Sequence, residues 1–384
     1  MIEIGIVDGC DVKSWLPLSE IDAGALDQIA NLARLPGALH VAVMPDVHKG
    51  YGMPIGTALA TEGTVVPYAV GVDIGCGMIA AKFEYKASEI GQERVRKILQ
   101  LIYAEVPVGQ PSKGNRSQGA FPTRQNSEVL REGVDVVGDL RTYGKVLAKD
   151  LRQRVDHQLG TLGGGNHFIE LQADEDDSLW LMLHTGSRAF GYAICEAWFK
   201  NATLLMDRYH VALPDKDLAF LPLDTEEGRG YMVDMSYAMR FAEESRKHIY
   251  DASSSVIGSV LGASSMTPIE THHNFASVEH FFGRDLVIHR KGAVRTVEGQ
   301  YQGDQLDVTI PGSMETGSYI GMGKRCDLAL NTCSHGAGRR LGRNETRRQN
   351  PGVDIAAEML EKGIVLVAPP GSDTLDEAGR AYKD

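Results

Sequence analysis

The sequence predicts an α+β fold built as a single compact mixed domain, and three observations predict it. Short apolar runs of strand length recur along the chain, and many end in a polar, glycine-rich motif. Two longer stretches, Ala189 to Tyr209 and Arg229 to Leu261, instead carry apolar residues near helical spacing. The residues able to do chemistry are spread from Asp46 to Arg339, so one site drawing on all of them leaves little chain for a second unit. A length of 384 residues would by itself admit two domains. The expectation is one domain over residues 1–384, with ligands at strand ends and helices packed outside.

Composition narrows the function classes. Apolar residues make up 43% and charged residues 23%, the balance of a globular chain rather than a disordered one. The formal net charge of −12 argues against a generalised nucleic-acid coat but leaves room for a local basic groove. Cys10, Cys76, Cys195, Cys326 and Cys333 are odd in number and lack close, repeating spacing, so no disulfide framework is expected. Met1-Ile2-Glu3-Ile4 has no basic leader, and no apolar run reaches membrane-span length. A cytoplasmic protein without a membrane partner is expected.

In chain order, Met1 to Leu16 reads as a short strand and a turn. Ser19-Glu20-Ile21-Asp22 opens a helix to about Arg34, with Ile21, Leu26, Ile29 and Leu32 at helical spacing. His40 to Met44 is a strand leading into a loop, Pro45 to Gly50, that carries Asp46 and His48. Turn chemistry alone would make Asp46 a cap and His48 an exposed residue. Thr57 to Val72 is strand-rich, Phe83 to Tyr85 ends that run, and Ala87 to Val106 is an amphipathic helix. Gly109 to Phe121, with Lys113 and Arg116, is a polar loop, and Glu128 to Leu151 is mostly helical. Phe168 to Leu171 and Leu179 to Leu183 are strands; His167 precedes the first and His184 follows the second. Further polar motifs sit at Glu270 to Phe275, Leu286 to Ala293, Ile310 to Tyr319 and Asn331 to Arg339. Arg339, Arg340, Arg343, Arg347 and Arg348 form the strongest basic patch, either a solvated helix face or a landing place for phosphate.

The densest motif is Val70-Gly71-Val72-Asp73-Ile74-Gly75-Cys76-Gly77-Met78. Its flanks predict buried strand, and its glycines predict a sharp turn that carries Asp73 and Cys76 inward. A buried thiol beside a carboxylate is either a small hydrophobe or a metal-bound thiolate. Asp46, Asp73, Cys76, Asn166, His167, His184, His273, Asn274, Ser313, His335 and Arg339 mostly lie beside glycine or at strand ends. Asp, Cys and His are the donor set of a transition metal, but the spacing is not the local pairing of a zinc finger. Ligands scattered this widely suggest a catalytic site assembled by the whole fold.

Seven motifs in order then resemble the RtcB family of RNA ligases. They are Asp73-Ile74-Gly75-Cys76-Gly77-Met78, Gly165-Asn166-His167-Phe168-Ile169-Glu170, His184-Thr185-Gly186-Ser187-Arg188, His272-His273-Asn274, Arg290-Lys291-Gly292-Ala293, Pro311-Gly312-Ser313-Met314 and Ser334-His335-Gly336-Ala337-Gly338-Arg339. The resemblance runs from Met44-Pro45-Asp46-Val47-His48 to Ala381-Tyr382-Lys383. It implies GTP- and Mn²⁺-dependent joining of RNA 2′,3′-cyclic phosphate or 3′-phosphate ends to 5′-hydroxyl ends, in tRNA splicing or RNA repair.

By the same resemblance, Asp73, Cys76, His167, His184 and His273 hold two Mn²⁺ ions at the centre of the fold, with the Cys76 thiolate bridging. His335 is the nucleophile that becomes a histidine–GMP phosphoramidate, and Asp46 is a residue needed for ligation. Phe168, Glu170, Asn274, Ser313, Ser318, Ala337 and Gly338 line the guanosine pocket, Arg188 contacts phosphate, and Asn166 can hydrogen-bond phosphate or ribose. Glu315 and Gly317 vary the loop that follows Ser313. The resemblance also implies a few tens of further residues ending in a lysine at the guanine; the sequence stops at Asp384, which reads as a short or truncated tail.

The same ligands would serve a two-metal phosphoesterase that opens cyclic phosphates without GTP. A degenerate RNA- or nucleotide-binding protein is the non-enzymatic alternative, and retention of His335 with every metal ligand argues against it.

Overall fold

The computed structural model describes residues 2–7, 9–109, 127, 129, 157–298, 304–368 and 374–383. Its strands, in chain order, are β1 (Ile2–Val7), β2 (Cys10–Ser14), β3 (Ala38–His48), β4 (Ile55–Thr61), β5 (Thr64–Val65), β6 (Gly77–Lys86), β7 (Phe168–Ala173) and β8 (Ser178–Thr185). They continue with β9 (Leu221–Pro222), β10 (Ile269–His272), β11 (Asn274–Phe281), β12 (Arg284–Lys291), β13 (Ala293–Arg295), β14 (Asp307–Ile310), β15 (Tyr319–Met322) and β16 (Thr332–Ser334). One sheet runs β1-β2-β3-β4-β12-β11, and a second runs β10-β6-β8-β7. The pairs β13-β16, β14-β15 and β5-β9 stand apart as short ladders. The α+β prediction holds: helices cover these sheets, and the polar motifs gather at strand ends.

The packing follows from the sequence pattern. Helix Ala23–Ala33 starts where Asp22 accepts the Ala25 N–H at 2.8 Å, and it buries Ala25, Ile29 and Leu32. The predicted start near Ser19 is early by one turn, because Leu18–Glu20 forms a separate 3₁₀ turn. Helix Arg188–Arg208 and the 36-residue helix Glu226–Leu261 pack Phe190, Ile194, Trp198, Tyr237 and Phe241 into a core shared with Val41, Val43, Leu59 and Ile74. The long helix begins at a Thr225 cap and ends at Gly262, whose φ of +69° stops it. Its far half reaches a second core, where Ile249 and Ile257 meet Ile79, Phe83, Leu181 and Leu183 of the second sheet, and Ile98 and Ile102 of helix Gln92–Glu105. The long helix therefore spans both cores. No helix among the described residues is long and apolar enough to cross a membrane.

The structure corrects or adds to these expectations at five places. The run Thr57 to Val72 is not all strand: Pro67 opens a short helix, Pro67–Val70, because proline lacks the ladder N–H and fits a helix first turn. Residues 45–48 are not loop, since β3 continues through His48, with its register against β4 shifting between Val43 and His48. The N-terminal segment is two strands rather than one, β1 folding back on β2. Glu270 to Phe275 divides between two sheets, β10 in the second and β11 in the first, with His273 at the crossover. The helix expected from Ala87 starts at Gln92, after a 3₁₀ turn. Beyond Gly109, the predicted polar loop to Phe121 lies outside the described residues, as does the Glu128 to Leu151 helix apart from Val129.

One buried ion cluster gives a stability test. On β11, Glu279 receives Arg290 at 2.5 and 3.1 Å and Arg295 at 2.6 Å. Burial pushes the Glu279 carboxyl up, but the two guanidinium charges outweigh it and hold it down at about 2, against 4.5 ordinarily. A lowered carboxylate pKa adds stability that is full above the unfolded value and is lost as pH falls towards 2. At roughly 1.4 kcal/mol per unit, that is about 3 kcal/mol. Glu279→Gln is expected to lower unfolding free energy strongly at pH 7 and much less at pH 3, as read by urea denaturation at both.

Candidate active site

Strand register assembles the site. On the second sheet, Gly77 of β6 faces both His272 of β10 and Thr185 of β8. His184 on β8 faces Met78 on one side and Phe168 on the other. That register puts Cys76, His167, His184 and His273 at one end of one sheet, although they are far apart in the chain. Asp73 joins them through the tight turn Asp73–Cys76, closed by the Cys76 N–H on the Asp73 carbonyl at 3.1 Å. The His273 N–H, in turn, donates to the Cys76 carbonyl at 3.0 Å.

The donor atoms converge. Cys76 Sγ lies 3.1 Å from His184 Nε2 and 3.7 Å from His167 Nε2. His184 Nε2 is 3.3 Å from His273 Nε2, and His167 Nε2 is 3.0 Å from Asp73 Oδ2. Two groups result, Cys76/His184/His273 and Asp73/Cys76/His167, with Cys76 in both. The Nδ1 atoms of His167 and His184 face the carbonyls of Leu162 and Asn166 at 2.9 and 2.8 Å. A ring that donates from Nδ1 keeps a lone pair on Nε2, the orientation of a metal-bound imidazole. Burial, with the neighbouring His167, pushes His184 down to about 3, and burial holds His273 well below its ordinary value. Both rings are therefore neutral near pH 7, as ligands must be.

Burial and the Asp73 charge push the Cys76 thiol well up, outweighing the opposing Arg246 charge and the Gly77 N–H. Lone pairs aimed at one another across 3.3 Å, beside a buried thiol and carboxylate, are the arrangement a divalent cation resolves. The residues present fit a metal centre.

His335 stands beside this centre, its ring centroid 4.9 Å from that of His273. It follows β16, which pairs with β13. Behind it lies Asp46, whose Oδ2 accepts from His335 Nδ1 at 2.8 Å, the His335 N–H at 3.0 Å and the Gly336 N–H at 3.3 Å. Burial pushes the Asp46 carboxyl up, yet the hydrogen bonds and charge of His335 hold it below its ordinary value. A carboxylate on Nδ1 fixes the proton there and leaves the lone pair on Nε2. Asp46 lies behind the ring and acts on the cleft only through His335. Gly338 is what lets this segment close on Asp46: its φ is +72°, and a Cβ there would sit 2.4 Å from the Asp46 carbonyl oxygen. A cleft of ≈ 2040 Å³ opens over His335 and the donor groups.

The family model described as tRNA-splicing ligase RtcB matches residues 28–384. The chain belongs to the RtcB family. Curated relatives include RNA-splicing ligase RtcB1 of Escherichia coli ATCC 25922, 32% identical over all of this chain and 93% of the relative. RNA-splicing ligase RtcB of Escherichia coli K12 matches to the same extent. The tRNA-splicing ligase RtcB of Methanococcus maripaludis is 30% identical over 96% of this chain and 87% of its own length.

Other residues singled out in this RtcB-family sequence fall on the cleft wall, with contacts that refine their roles. Asn166 gives its backbone carbonyl to His184 and exposes its side chain to the cleft. The Phe168 ring packs edge-on to His184 at 5.8 Å. Burial pushes the Glu170 carboxyl up, and Gln172 Nε2 links it at 2.7 Å to Ser318 Oγ at 3.1 Å. Ser313 is buried, its N–H donating to Thr316 Oγ1, while Ala337 is half-buried beside His335. Arg188 holds a φ of +61°, a strained conformation for a side-chain residue, and places Nη1 3.3 Å from His167 Nδ1. Asn274 acts on backbone from both ends of its amide, donating to the Asp73 carbonyl at 3.0 Å and accepting from the Gly292 N–H at 2.8 Å.

Two lysines were not singled out by sequence reasoning. Lys291 is buried on the cleft, donates to the Tyr51 and Tyr68 carbonyls at 2.6 and 2.9 Å, and is pushed down to about 8 by burial. Its place inside the Arg290 to Ala293 motif was the available signal. Lys383 donates to the Pro45 and Val47 carbonyls at 3.1 and 2.7 Å, bracketing Asp46; its place in Ala381-Tyr382-Lys383 was the available signal. The arginine patch is partly neutralised: Arg339 and Arg343 each meet Glu377 at 2.9 Å, Arg347 meets Asp376 at 2.9 Å, and Arg348 pairs with Glu345.

Proposed function

We propose that this chain is an RNA ligase that uses GTP and Mn²⁺ to join a 3′-phosphate or 2′,3′-cyclic phosphate end to a 5′-hydroxyl, in tRNA splicing or RNA repair. The observation that carries this reading is His335: one imidazole nitrogen is held by buried Asp46 and the other is left for attack, beside two donor groups sharing Cys76. Asp73, Cys76, His167, His184 and His273 would hold the Mn²⁺ ions, whose chemistry is to neutralise phosphate charge and act as a Lewis acid.

His335 Nε2 attacks the α-phosphorus of GTP. A P–N bond forms, the α–β anhydride P–O bond breaks, and pyrophosphate leaves with its electron pair. Asp46 retains the proton on Nδ1 throughout and stabilises the charge that develops on the ring. The RNA 3′-phosphate then takes GMP from His335, and the 5′-hydroxyl oxygen attacks that activated phosphate to release GMP. A cyclic end enters once water has opened it to the monoester, because only a free phosphate oxygen can accept GMP. Glu170, Phe168, Ser313, Ser318, Ala337 and Gly338 would line the guanosine pocket, and Arg188 and Asn166 would meet the phosphates.

Incubation with GTP labelled at the α-phosphate, with Mn²⁺, followed by peptide mapping, is expected to place label on His335. Ligation that proceeds without GTP would replace this reading with the phosphoesterase one. RNA binding gives a further expected outcome. Arg343 lies on the cleft wall against Gly165, so Arg343→Gln removes about 0.7 from the slope of log affinity against log salt. Replacing Arg348 changes that slope little, because it is not on the cleft wall and pairs with Glu345 of its own helix.

A further inference from the structure

The long helix Glu226–Leu261 buries two charged side chains, Asp234 and Arg246, and Arg246 is at 0% exposure. Its guanidinium sits at the ligand-bearing end of the second sheet. Nη1 donates to the Gly75 carbonyl at 2.7 Å and the Thr185 carbonyl at 3.1 Å. Nη2 reaches His272 Nδ1 at 2.8 Å, and Nε reaches Glu270 Oε1 at 2.9 Å. Gly75 precedes Cys76, Thr185 follows His184, and His272 precedes His273. A single planar group thus holds the immediate chain neighbours of three donors that sit on three different strand ends.

The surroundings are shaped for this group. Gly77 faces it, and a Cβ there would lie 3.2 Å from Arg246 Cζ and Nη1 and 2.1 Å from the Thr271 carbonyl oxygen. His272 Nε2 is 3.1 Å from Glu243 Oε1, so that nitrogen donates to the carboxylate and Nδ1 is left as the acceptor for Arg246. The chain Glu243–His272–Arg246–Glu270 fixes the tautomer of His272 and supplies the counter-charge that a buried guanidinium requires. Burying an arginine is costly even when paired, and sheet-end carbonyls alone do not demand a charged donor.

We infer that Arg246 is a positioning residue that holds the Cys76, His184 and His273 segments at the spacing a divalent cation requires. This rests on the reading of those residues as metal ligands. A lysine cannot replace it, because one ammonium offers no planar fork with donors aimed at separate strands. A guanidinium that only capped strand-end carbonyls would add stability and leave the affinity of the folded site for metal untouched.

The test uses Co²⁺ as a spectroscopic probe on the full chain, with far-UV circular dichroism and thermal melting as the fold control. The wild type is expected to show a thiolate-to-cobalt charge-transfer band. Arg246→Met is expected to stay folded yet bind Co²⁺ at least tenfold more weakly, with that band reduced and the visible bands shifted. Arg246→Lys is expected to recover only part of the affinity. Glu270→Gln keeps the guanidinium but removes its counter-charge from a partly exposed position, and is expected to weaken Co²⁺ binding severalfold without unfolding the chain. Wild-type affinity and spectrum in folded Arg246→Met, or in Glu270→Gln should the methionine variant not fold, overturn the assignment. GMP labelling is read separately. A wild type that binds Co²⁺ through Cys76 but takes no GMP overturns the ligase reading and not this one, while a wild type without the thiolate band overturns both.

Discussion

His335→Ala is expected to abolish both the GMP adduct and RNA joining while leaving the protein folded. The side chain is only partly buried and fills no apolar core, so its removal opens no large cavity. Its loss is chemical: the other imidazole on the cleft outside the donor groups, His48, has its Nδ1 on the Asp46 backbone carbonyl at 2.9 Å rather than on a carboxylate. The adduct in the wild type is expected to be acid-labile, because protonation of a phosphoramidate nitrogen makes it a good leaving group. Asp46→Asn separates positioning from attack. The amide oxygen would stay on the N–H donors of His335 and Gly336, so the ring keeps its place but loses the negative charge that stabilises the imidazolium forming on attack. Adduct formation is then expected to fall by about 10²- to 10⁴-fold, the range of a positioned proton-transfer partner. The Asp46 carboxyl is held low by His335, so its contribution is present throughout the neutral range and lost only as pH falls below the ordinary carboxylate value. Gel labelling with α-phosphate-labelled GTP across pH reads both variants. Normal labelling of the alanine variant would remove His335 from the nucleophile's role.

The parts of the site that were legible in the sequence are those that carry their own local marker. Cys76 and His335 sit beside glycine, His167 and His184 lie within two residues of one at the edge of an apolar run, and the structure brings Cys76, His167 and His184 to one sheet end. The strand ends could be read; the register that aligns Gly77 with both His272 and Thr185 could not, since register depends on which strands pair. Asp46 could be named but not given a role, because its partner lies at the other end of the chain and only folding brings the two to 2.8 Å. Arg246 left no trace, for an arginine within Glu243-Glu244-Ser245-Arg246-Lys247-His248 reads as one more solvated helix position. Pro67 misled in the opposite way: a run of Val and Ala around it resembles strand, and the missing N–H decided for helix.

Metal identity sets the harder test, and zinc is expected to bind at least as tightly as manganese while supporting ligation poorly. One sulfur and three imidazoles favour Zn²⁺ over Mn²⁺ on affinity, whereas Mn²⁺ prefers oxygen and keeps more coordination positions. The structure supplies Cys76, His184 and His273 as one group and Asp73, Cys76 and His167 as the other, so each offers three protein donors. Zinc completes a tetrahedron with one further ligand, which leaves less room for the several phosphate oxygens that GTP and RNA must bring. Titrating Zn²⁺ into a Mn²⁺-supported assay should therefore inhibit ligation as metal content shifts from manganese to zinc. Because Cys76 belongs to both groups, Cys76→Ser should lose more metal than His167→Ala, which belongs to one. Serine keeps the size of cysteine but has a hydroxyl that stays protonated at neutral pH, so it cannot serve two ions as a thiolate would. Metal analysis of the purified variants measures that difference directly. If Zn²⁺ neither displaces Mn²⁺ nor inhibits, and Cys76→Ser keeps its metal, then Cys76 is a packing residue at the turn after Asp73, and the donor groups must be drawn from the histidines and carboxylate alone.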